Sequence, residues 1–150
     1  MTAMIRVLCL LISLVASGMA FAGPSEDANA VVDLWSATYS ANDTEKIAQL
    51  YTPDGILLGT VSPVTSVGTE AIQKYFTPLK GSGNKNTIQE RHTIVLGGDA
   101  VLVTGFYEFV SLVDGKPSPR PSRFTMLVTK RDGQWRIAHH HSSPRVPPKS

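Results

Sequence analysis

The sequence predicts a single α+β domain, in which about three helices pack on one face of a curved, mostly antiparallel sheet of up to six strands. Two observations favour this fold class. Apolar residues recur at three- and four-residue steps in the first part of the chain, whereas segments rich in β-branched and aromatic residues fill the part after Asn86. A length of 150 residues and a hydrophobic content of 42% suit one domain with a packed core.

The beginning of the chain has the composition of a signal peptide. Arg6 is its only charged residue, residues 7–15 are apolar apart from Ser13, and Ala20-Phe21-Ala22 has the small-x-small pattern of a signal peptidase site. The apolar run is shorter than the roughly 20 residues that cross a bilayer. We therefore expect no stable membrane anchor after cleavage.

These features divide the chain into three parts. We expect residues 1–22 to be a cleaved signal peptide, residues 23–143 to form the domain and residues 144–150 to be a tail. The protein is then periplasmic or secreted. Cleavage removes Cys9, the only cysteine, so stability in an oxidising compartment must come from the core without a disulfide.

The charge of the mature chain indicates no polyanionic partner. Removal of Arg6 leaves 13 of the 14 basic residues against 12 acidic ones. No cluster of Lys and Arg interleaved with aromatic residues is present, so nucleic-acid binding is not expected.

The first two helices follow from periodicity and capping. Residues 25–39 carry an apolar stripe that ends in Trp35 and Tyr39, and acidic residues occupy its first turn. Asn42 and Glu45 have the spacing of a capping box, which predicts a second, short helix running to Tyr51. The sequence Thr-Pro-Asp-Gly at 52–55 predicts a turn that ends it.

The rest of the chain predicts one more helix and the sheet. Gly68 opens a third helix, whose apolar stripe ends near Leu79. Two short strands are expected at residues 56–58 and around 64–67. Four long strands, forming an antiparallel meander, are predicted at 88–96, 101–113, 122–130 and 134–142, with turn residues between them.

Three motifs then indicate a family. They are Phe-Val-Ser-Leu-Val-Asp-Gly-Lys at 109–116, Lys-Arg-Asp-Gly-Gln-Trp at 130–135 and His-His-His-Ser-Ser-Pro at 139–144. Together with the order of helices and strands, they resemble the nuclear transport factor 2-like (SnoaL-like) superfamily. The resemblance is greatest to the group that contains the association domain of calcium/calmodulin-dependent protein kinase II and its SgcJ/EcaC-like bacterial relatives.

The resemblance implies a cone-shaped fold with a pocket between helices and sheet. It also implies self-association, as a homodimer or larger homo-oligomer, through the open face of the sheet. The superfamily includes polyketide cyclases, scytalone dehydratase and ketosteroid isomerase, but the aspartate base and the tyrosine/aspartate oxyanion pair of the steroid isomerases have no match in this sequence. Whether the protein is an enzyme therefore stays open.

The histidines near the end of the chain are the first site candidates. Alternate residues of a strand share a face, so His139 and His141 are expected to face the interior with Trp135 and Ile137. Three interpretations remain open: structural histidines with hydrogen-bond partners, ligand recognition together with Arg123, or a metal site completed by His92 and either Glu90 or Glu108. The sequence assigns no metal and no cofactor.

The other candidates are a cation and several aromatic residues. Arg123 begins an otherwise apolar strand, and its guanidinium is either aimed into the cavity to hold a carboxylate or solvated at the strand end. Trp35 and Tyr39 lie one helical turn apart and, like Tyr107, either line the cavity or belong to the core. Arg91 and His92 are adjacent, so only one of them can face the pocket.

Three functions follow from these observations. The first is an exported pocket domain that binds a small anionic or carboxylate-bearing molecule. The second is an isomerase, dehydratase or cyclase with a pocket histidine as general acid/base. The third is an oligomerisation module without a ligand. Nucleophile motifs, phosphate-binding glycine loops and dinucleotide fingerprints are absent from the sequence.

Overall fold

The computed structural model describes residues 22–146, so the predicted signal peptide up to residue 21 and residues 147–150 lie outside the described residues. Within this range the chain forms three α-helices and six strands. The helices are α1 (Pro24–Ser40), α2 (Thr44–Gln49) and α3 (Gly68–Phe76), and a 3-10 turn at Thr77–Leu79 follows α3. The strands are β1 (Tyr51–Leu58), β2 (Thr65–Val67), β3 (Lys85–Gly97), β4 (Ala100–Val113), β5 (Lys116–Arg131) and β6 (Gln134–Pro144).

The strands form one sheet in the order β2-β1-β6-β5-β4-β3. All neighbours are antiparallel except β1 and β6, which run parallel. The helices cover one face of this sheet, and the core lies between the two layers. The predicted fold class is confirmed. None of the helices between residues 22 and 146 combines the length and the hydropathy that a membrane crossing requires.

The first helix, α1, packs on the sheet and forms polar contacts with the edge strand β3. Ala28, Val32 and Trp35 of α1 are buried against the sheet. The Arg91 guanidinium in β3 donates to both carboxylate oxygens of Asp33, at 2.6 and 3.1 Å. This ion pair is exposed, so it orients the strand more than it stabilises the fold.

The segment between α1 and β1 differs from its prediction. The second helix is capped by Asp43, whose side chain accepts from the Lys46 amide at 3.0 Å, and not by Asn42. Asn42 has a φ of 58° and reaches instead to the chain before β3. Tyr51 begins a strand, and residues 52–55, predicted as a turn, lie inside β1, where the pairing with β6 is irregular.

The strand β5 begins six residues earlier than predicted. It can include three prolines because their nitrogens, which carry no hydrogen, point away from β4. Pro117, Pro119 and Pro121 alternate along the strand, so their nitrogens share one side. The Pro121 carbonyl, which faces the same side, accepts from the Arg145 amide at 2.9 Å. No ladder bond to β4 is therefore lost, which is how proline is accommodated in a strand. Pro144, predicted to belong to the tail, lies in β6 and pairs with Ser122 of β5.

The strand β6 contains a bulge that decides which histidine faces the core. Ile137 is paired with Val128 and His139 with Leu127, so Ala138 is an extra residue opposite a regular stretch of β5. Before the bulge, Ile137 points toward the helices and is fully buried. After it the alternation is reversed, and His140 and Ser142 become the inward residues, with exposures of 1% and 5%.

Candidate functional site

A cavity of about 290 Å³ lies between the sheet and the helices. Its walls are mainly aromatic and aliphatic, with polar groups at two places. The lining side chains include Trp35, Tyr39, Leu57, Tyr75, Phe76, Leu79, Tyr107 and Phe109, together with the polar residues Thr60, Asn84, Arg120, His140 and Ser142. None of the described residues that line this cavity is acidic.

Three of the predicted site residues, Trp35, Tyr39 and Tyr107, line this cavity. Trp35 stacks on Tyr39 with 5.5 Å between ring centroids and on Tyr107 with 5.9 Å. Trp35 and Tyr107 are also buried members of the core, with exposures of 2% and 0%. The two alternatives that the sequence left open, cavity lining and core packing, therefore describe the same side chains.

The other four candidates do not reach this cavity. The inward placement predicted for His139 and His141 is wrong, and of the alternatives left open for Arg123 and His92 the outward one holds. His139, His141, Arg123 and His92 lie on the opposite, uncovered face of the sheet. For His139 and His141 the cause is the bulge at Ala138, which ends the alternation that begins at Trp135 and Ile137.

For Arg123 the cause is the phase of β5. Ser122, Phe124, Met126 and Val128 are its buried, inward residues. Arg123 lies between the first two and so points outward. His92 is in register with Thr104 on β4, and Thr104 is in register with Thr125 on β5. His92 thus belongs to the outward set, while its neighbour Arg91 contacts α1.

The outward candidates are nevertheless neighbours. Arg123, His92 and His141 line a depression of about 230 Å³ on the uncovered face. The His92 Nε2 atom lies 2.9 Å from the Glu90 Oε1 atom, and both side chains are more than half exposed. Within residues 22–146 no three His, Cys, Asp or Glu side chains come together in a group that could hold a metal ion.

The buried end of the cavity contains His140, which is held by a tyrosine on each side. The Trp35 indole N–H donates to the Tyr51 hydroxyl oxygen at 2.9 Å. The Tyr51 hydroxyl lies 2.8 Å from Nδ1 of His140, and the imidazole meets the Trp35 ring edge to face, with 4.9 Å between centroids. The other imidazole nitrogen, Nε2, lies 3.2 Å from the Tyr107 hydroxyl. Both nitrogens of His140 therefore have a tyrosine hydroxyl as their hydrogen-bond partner.

The hydrogen bonds continue from Tyr107 to the cavity wall. The Tyr107 hydroxyl donates to Ser142 Oγ at 2.5 Å, and Ser142 Oγ is hydrogen-bonded to the Thr60 hydroxyl. Thr60 and Ser142 both line the cavity. We call this continuous set of six side chains, from Trp35 through Tyr51, His140, Tyr107 and Ser142 to Thr60, the Trp35–Thr60 network.

Burial keeps the members of this network neutral. Removal from water, together with the smaller effect of the adjacent His139 and His141, lowers the pKa of His140 from 6.5 to about 3. Desolvation likewise raises the pKa of Tyr107 and raises that of Tyr51 well above the ordinary value of a phenol. At neutral pH the imidazole is therefore uncharged, with one N–H and one bare nitrogen.

The second polar region of the cavity is formed by Arg120 and Asn84. Arg120 follows the inward phase of β5 and is paired with Phe109 of β4. Among residues 22–146, no carboxylate lies within 4.0 Å of its guanidinium. Its charge and a hydrogen bond from Asn84 partly offset the rise that burial causes in the pKa of Tyr39.

The sequence analysis did not identify the polar residues of the cavity and its network, of which Arg120 and His140 are the most important. The others are Tyr51, Thr60, Asn84 and Ser142. A partial signal existed for Arg120: Phe124, Met126 and Val128 share one phase with Thr125 and Thr129 between or after them, although the apolar Leu127 interrupts the alternation. Extending that phase backward places Arg120 inward. No such signal existed for His140. Three consecutive histidines give no indication of a one-residue bulge just before them.

A family model described as a SnoaL-like domain matches residues 28–147. The chain belongs to the SnoaL-like domain family. This bears out the predicted superfamily. No protein of curated function matches the sequence at a significant level.

Solved structures agree with the family assignment. A candidate calcium/calmodulin-dependent protein kinase II association domain from Xanthomonas campestris is 34% identical over 87% of this chain and 95% of its own, with a TM-score of 0.75. A ketosteroid isomerase-like protein from Erwinia carotovora atroseptica is 20% identical, covering 85% and 100% of the two chains, with a TM-score of 0.71.

A domain described as a calcium/calmodulin-dependent protein kinase II hub homology domain, from Chlamydomonas reinhardtii, is 22% identical, covering 80% of this chain and 97% of its own, with a TM-score of 0.68. The last two likenesses concern the fold alone. Members of this SnoaL-like family typically contain a pocket and are often oligomeric, which agrees with the cavity described above.

The low pKa of His140 predicts a specific loss of stability in acid. Its folded-state pKa lies below its unfolded value, so the unfolded chain binds a proton that the folded chain does not, and stability is lost as pH falls from 6.5 toward 3. Between pH 7.5 and 4.5 this residue should lower the free energy of unfolding by about 3 kcal/mol. Urea unfolding at both pH values measures the change.

The His140→Gln variant removes this contribution, so its loss between the two pH values should be smaller than that of the wild type by the same amount. His141→Gln, at an exposed position of the same strand, is the control and should keep the wild-type loss. Equal losses in His140→Gln and the wild type would contradict a buried, neutral imidazole.

Proposed function

We propose that this protein is an exported, self-associating domain that binds a small molecule with an apolar body and an anionic group, such as a carboxylate, in the cavity between helices and sheet. The observation that carries the proposal is a half-buried arginine, Arg120, in an aromatic cavity that contains no acid among the described residues. The proposal of export depends on the first 22 residues of the sequence.

Arg120 supports an anionic ligand because its charge is not neutralised within the described chain. A guanidinium that is partly removed from water gains stability from a carboxylate, which accepts two parallel hydrogen bonds from it. Asn84 lies beside it and adds an amide. The role that the sequence assigned to Arg123 is therefore transferred to Arg120, three residues earlier on the same strand.

The aromatic walls support an apolar ligand body. Tyr39 and Phe109 have centroids 5.0 Å apart, and Phe109 and Tyr107 have centroids 4.7 Å apart, so these rings form a continuous wall. Both phenols are neutral near pH 7 at their ordinary pKa of 10.0, and desolvation raises the pKa of Tyr39 and of Tyr75 further from neutrality. A flat acid with one ring fits this combination of walls and charge.

The same geometry weighs against a histidine acting as general acid or base. A base that works near neutral pH needs a pKa near that value, whereas burial lowers the pKa of His140 to about 3. Both of its nitrogens are also engaged by tyrosine hydroxyls. We therefore favour ligand binding over isomerase, dehydratase or cyclase chemistry that depends on this histidine.

Self-association is supported by the uncovered face of the sheet. One row across this face consists of Ile94, Leu102, Leu127 and His139, which are paired in register on β3 to β6. Ile94 is 52% exposed, and Leu102 and Leu127 are partly exposed. Apolar side chains in such a row are stabilised when a second copy covers them.

Anion binding predicts a difference between two arginines on the same strand. 4-Isopropylbenzoate should bind the wild type more tightly than the uncharged 4-isopropylbenzamide. In Arg120→Gln the affinity for the benzoate should fall by about tenfold or more, because a charge-assisted hydrogen bond is lost. Isothermal titration calorimetry measures the dissociation constants.

Arg123→Gln is the matched control, since it removes the same charge from the opposite face of the sheet. Its affinity for the benzoate should equal that of the wild type. An unchanged affinity in Arg120→Gln, or a loss confined to Arg123→Gln, would overturn the proposed site.

Self-association predicts that a charge in the apolar row separates the subunits. Leu127→Glu should be monomeric at micromolar concentration where the wild type is a dimer or larger assembly, because the introduced carboxylate would be buried at the interface. Sedimentation equilibrium measures the mass. Leu34→Glu, at a 52% exposed position on α1, should assemble as the wild type does. A monomeric wild type would contradict the proposal.

A further inference from the structure

The Trp35–Thr60 network contains one more polar hydrogen than it has hydrogen bonds between its members. At neutral pH each of the six side chains carries one polar hydrogen, and five hydrogen bonds join them in a row. Five contacts use five hydrogens. These bonds leave the sixth hydrogen free for a group outside the network; the Thr60 side chain also lies near the Tyr107 hydroxyl but forms no hydrogen bond to it.

The end that holds the surplus hydrogen is decided by Trp35. An indole N–H can donate and cannot accept, so the bond from Trp35 to the Tyr51 oxygen has only one direction. The Tyr51 hydroxyl is buried, so its own hydrogen needs an acceptor, and Nδ1 of His140 is the one within reach at 2.8 Å. The imidazole is therefore bare at Nδ1 and protonated at Nε2.

This tautomer sets the direction of the remaining bonds. Nε2–H of His140 donates to the Tyr107 oxygen, and the Tyr107 hydroxyl donates to Ser142. Ser142 then donates to Thr60, whose hydrogen is the one left over. With this assignment every buried polar atom of the network is satisfied, and none of its atoms is among the unpaired buried side-chain atoms within residues 22–146.

We infer that the hydroxyl of Thr60 is a fixed hydrogen-bond donor in the cavity wall, and that the ligand carries an acceptor oxygen, such as a ketone, in addition to its anionic group. This inference rests on the proposed function for the anionic group only. The donor character is imposed from Trp35 and Tyr51 through the neutral imidazole of His140. Tyr51 does not line the cavity, so it is a positioning residue.

The spacing of the two polar regions suits a ligand with two polar ends. Ser142 is paired with Phe124, and Arg120 lies four residues before Phe124 on β5. Four residues of strand span roughly 13 Å between backbone positions. Arg120 and Thr60 line the same cavity, so one ring with a carboxylate at one end and a carbonyl at the other can offer a polar group to each.

The first test compares two acids of nearly equal shape. 4-Acetylbenzoate should bind the wild type about tenfold more tightly than 4-isopropylbenzoate, which is the effect of one added hydrogen bond. Thr60→Val should remove this preference and Thr60→Ser should keep it, since serine retains the hydroxyl. Tyr51→Phe, which leaves the lining unchanged, should reduce it, because neither tautomer of His140 is then fully satisfied.

The second test needs no ligand. The ring nitrogen resonances of His140, recorded by NMR at pH 7, should show a protonated Nε2 and a bare Nδ1. In Tyr51→Phe the two tautomers should be mixed. A protonated Nδ1 in the wild type, or an imidazolium, would overturn the inference.

The outcomes separate this inference from the proposed function. If both acids bind with equal affinity and both depend on Arg120, the proposed function stands and the donor role of Thr60 is overturned. If neither acid binds, the proposed anion site fails in this form, and the nitrogen resonances alone decide whether the network has the direction inferred here.

Discussion

The bulge at Ala138 is the constraint on which the site depends. A strand exposes alternate side chains to alternate faces, and a single extra residue exchanges the faces for everything that follows. In β6 this exchange turns His140 and Ser142 toward the helices and His139 and His141 toward the uncovered face. Without it, the buried end of the cavity would present His139 and His141 in place of His140 and Ser142, and would lack the serine that leads to Thr60.

The buried imidazole of His140 needs hydrogen-bond partners for both nitrogens, and the aromatic core supplies them. A buried imidazole with an unpaired nitrogen costs free energy comparable to a lost hydrogen bond or more, and Tyr51 and Tyr107 remove that cost from the two sides. The indole of Trp35 both packs on the imidazole and donates to Tyr51. One set of aromatic residues therefore serves as core packing, as the polar support of a histidine and as the wall of the cavity.

Periodicity was sufficient to predict the layers of this fold, because hydrophobic burial decides helix and strand phase along most of the chain. The three helices, the four long strands, and the inward positions of Trp135 and Ile137 follow from it. Trp35, Tyr39 and Tyr107 were found for the same reason, since residues that line a cavity between two layers also belong to the apolar faces of those layers.

What periodicity could not predict was any position at which the backbone leaves its regular repeat. The bulge in β6 misplaced His139 and His141, and the irregular pairing of β1 hid a strand in a Thr-Pro-Asp-Gly sequence that is typical of turns. The sequence favours Arg123 as the cavity cation because it begins a mostly apolar strand, whereas the buried positions of Phe124, Met126 and Val128 in β5 assign the inward side to Arg120. The central claim, that the inward histidine is His140 and that it is neutral, is tested most directly by an NMR titration of its ring protons, assigned with His140→Gln. The account predicts that these resonances stay constant from pH 8 to about 4.5, and a midpoint near pH 6.5 would contradict it.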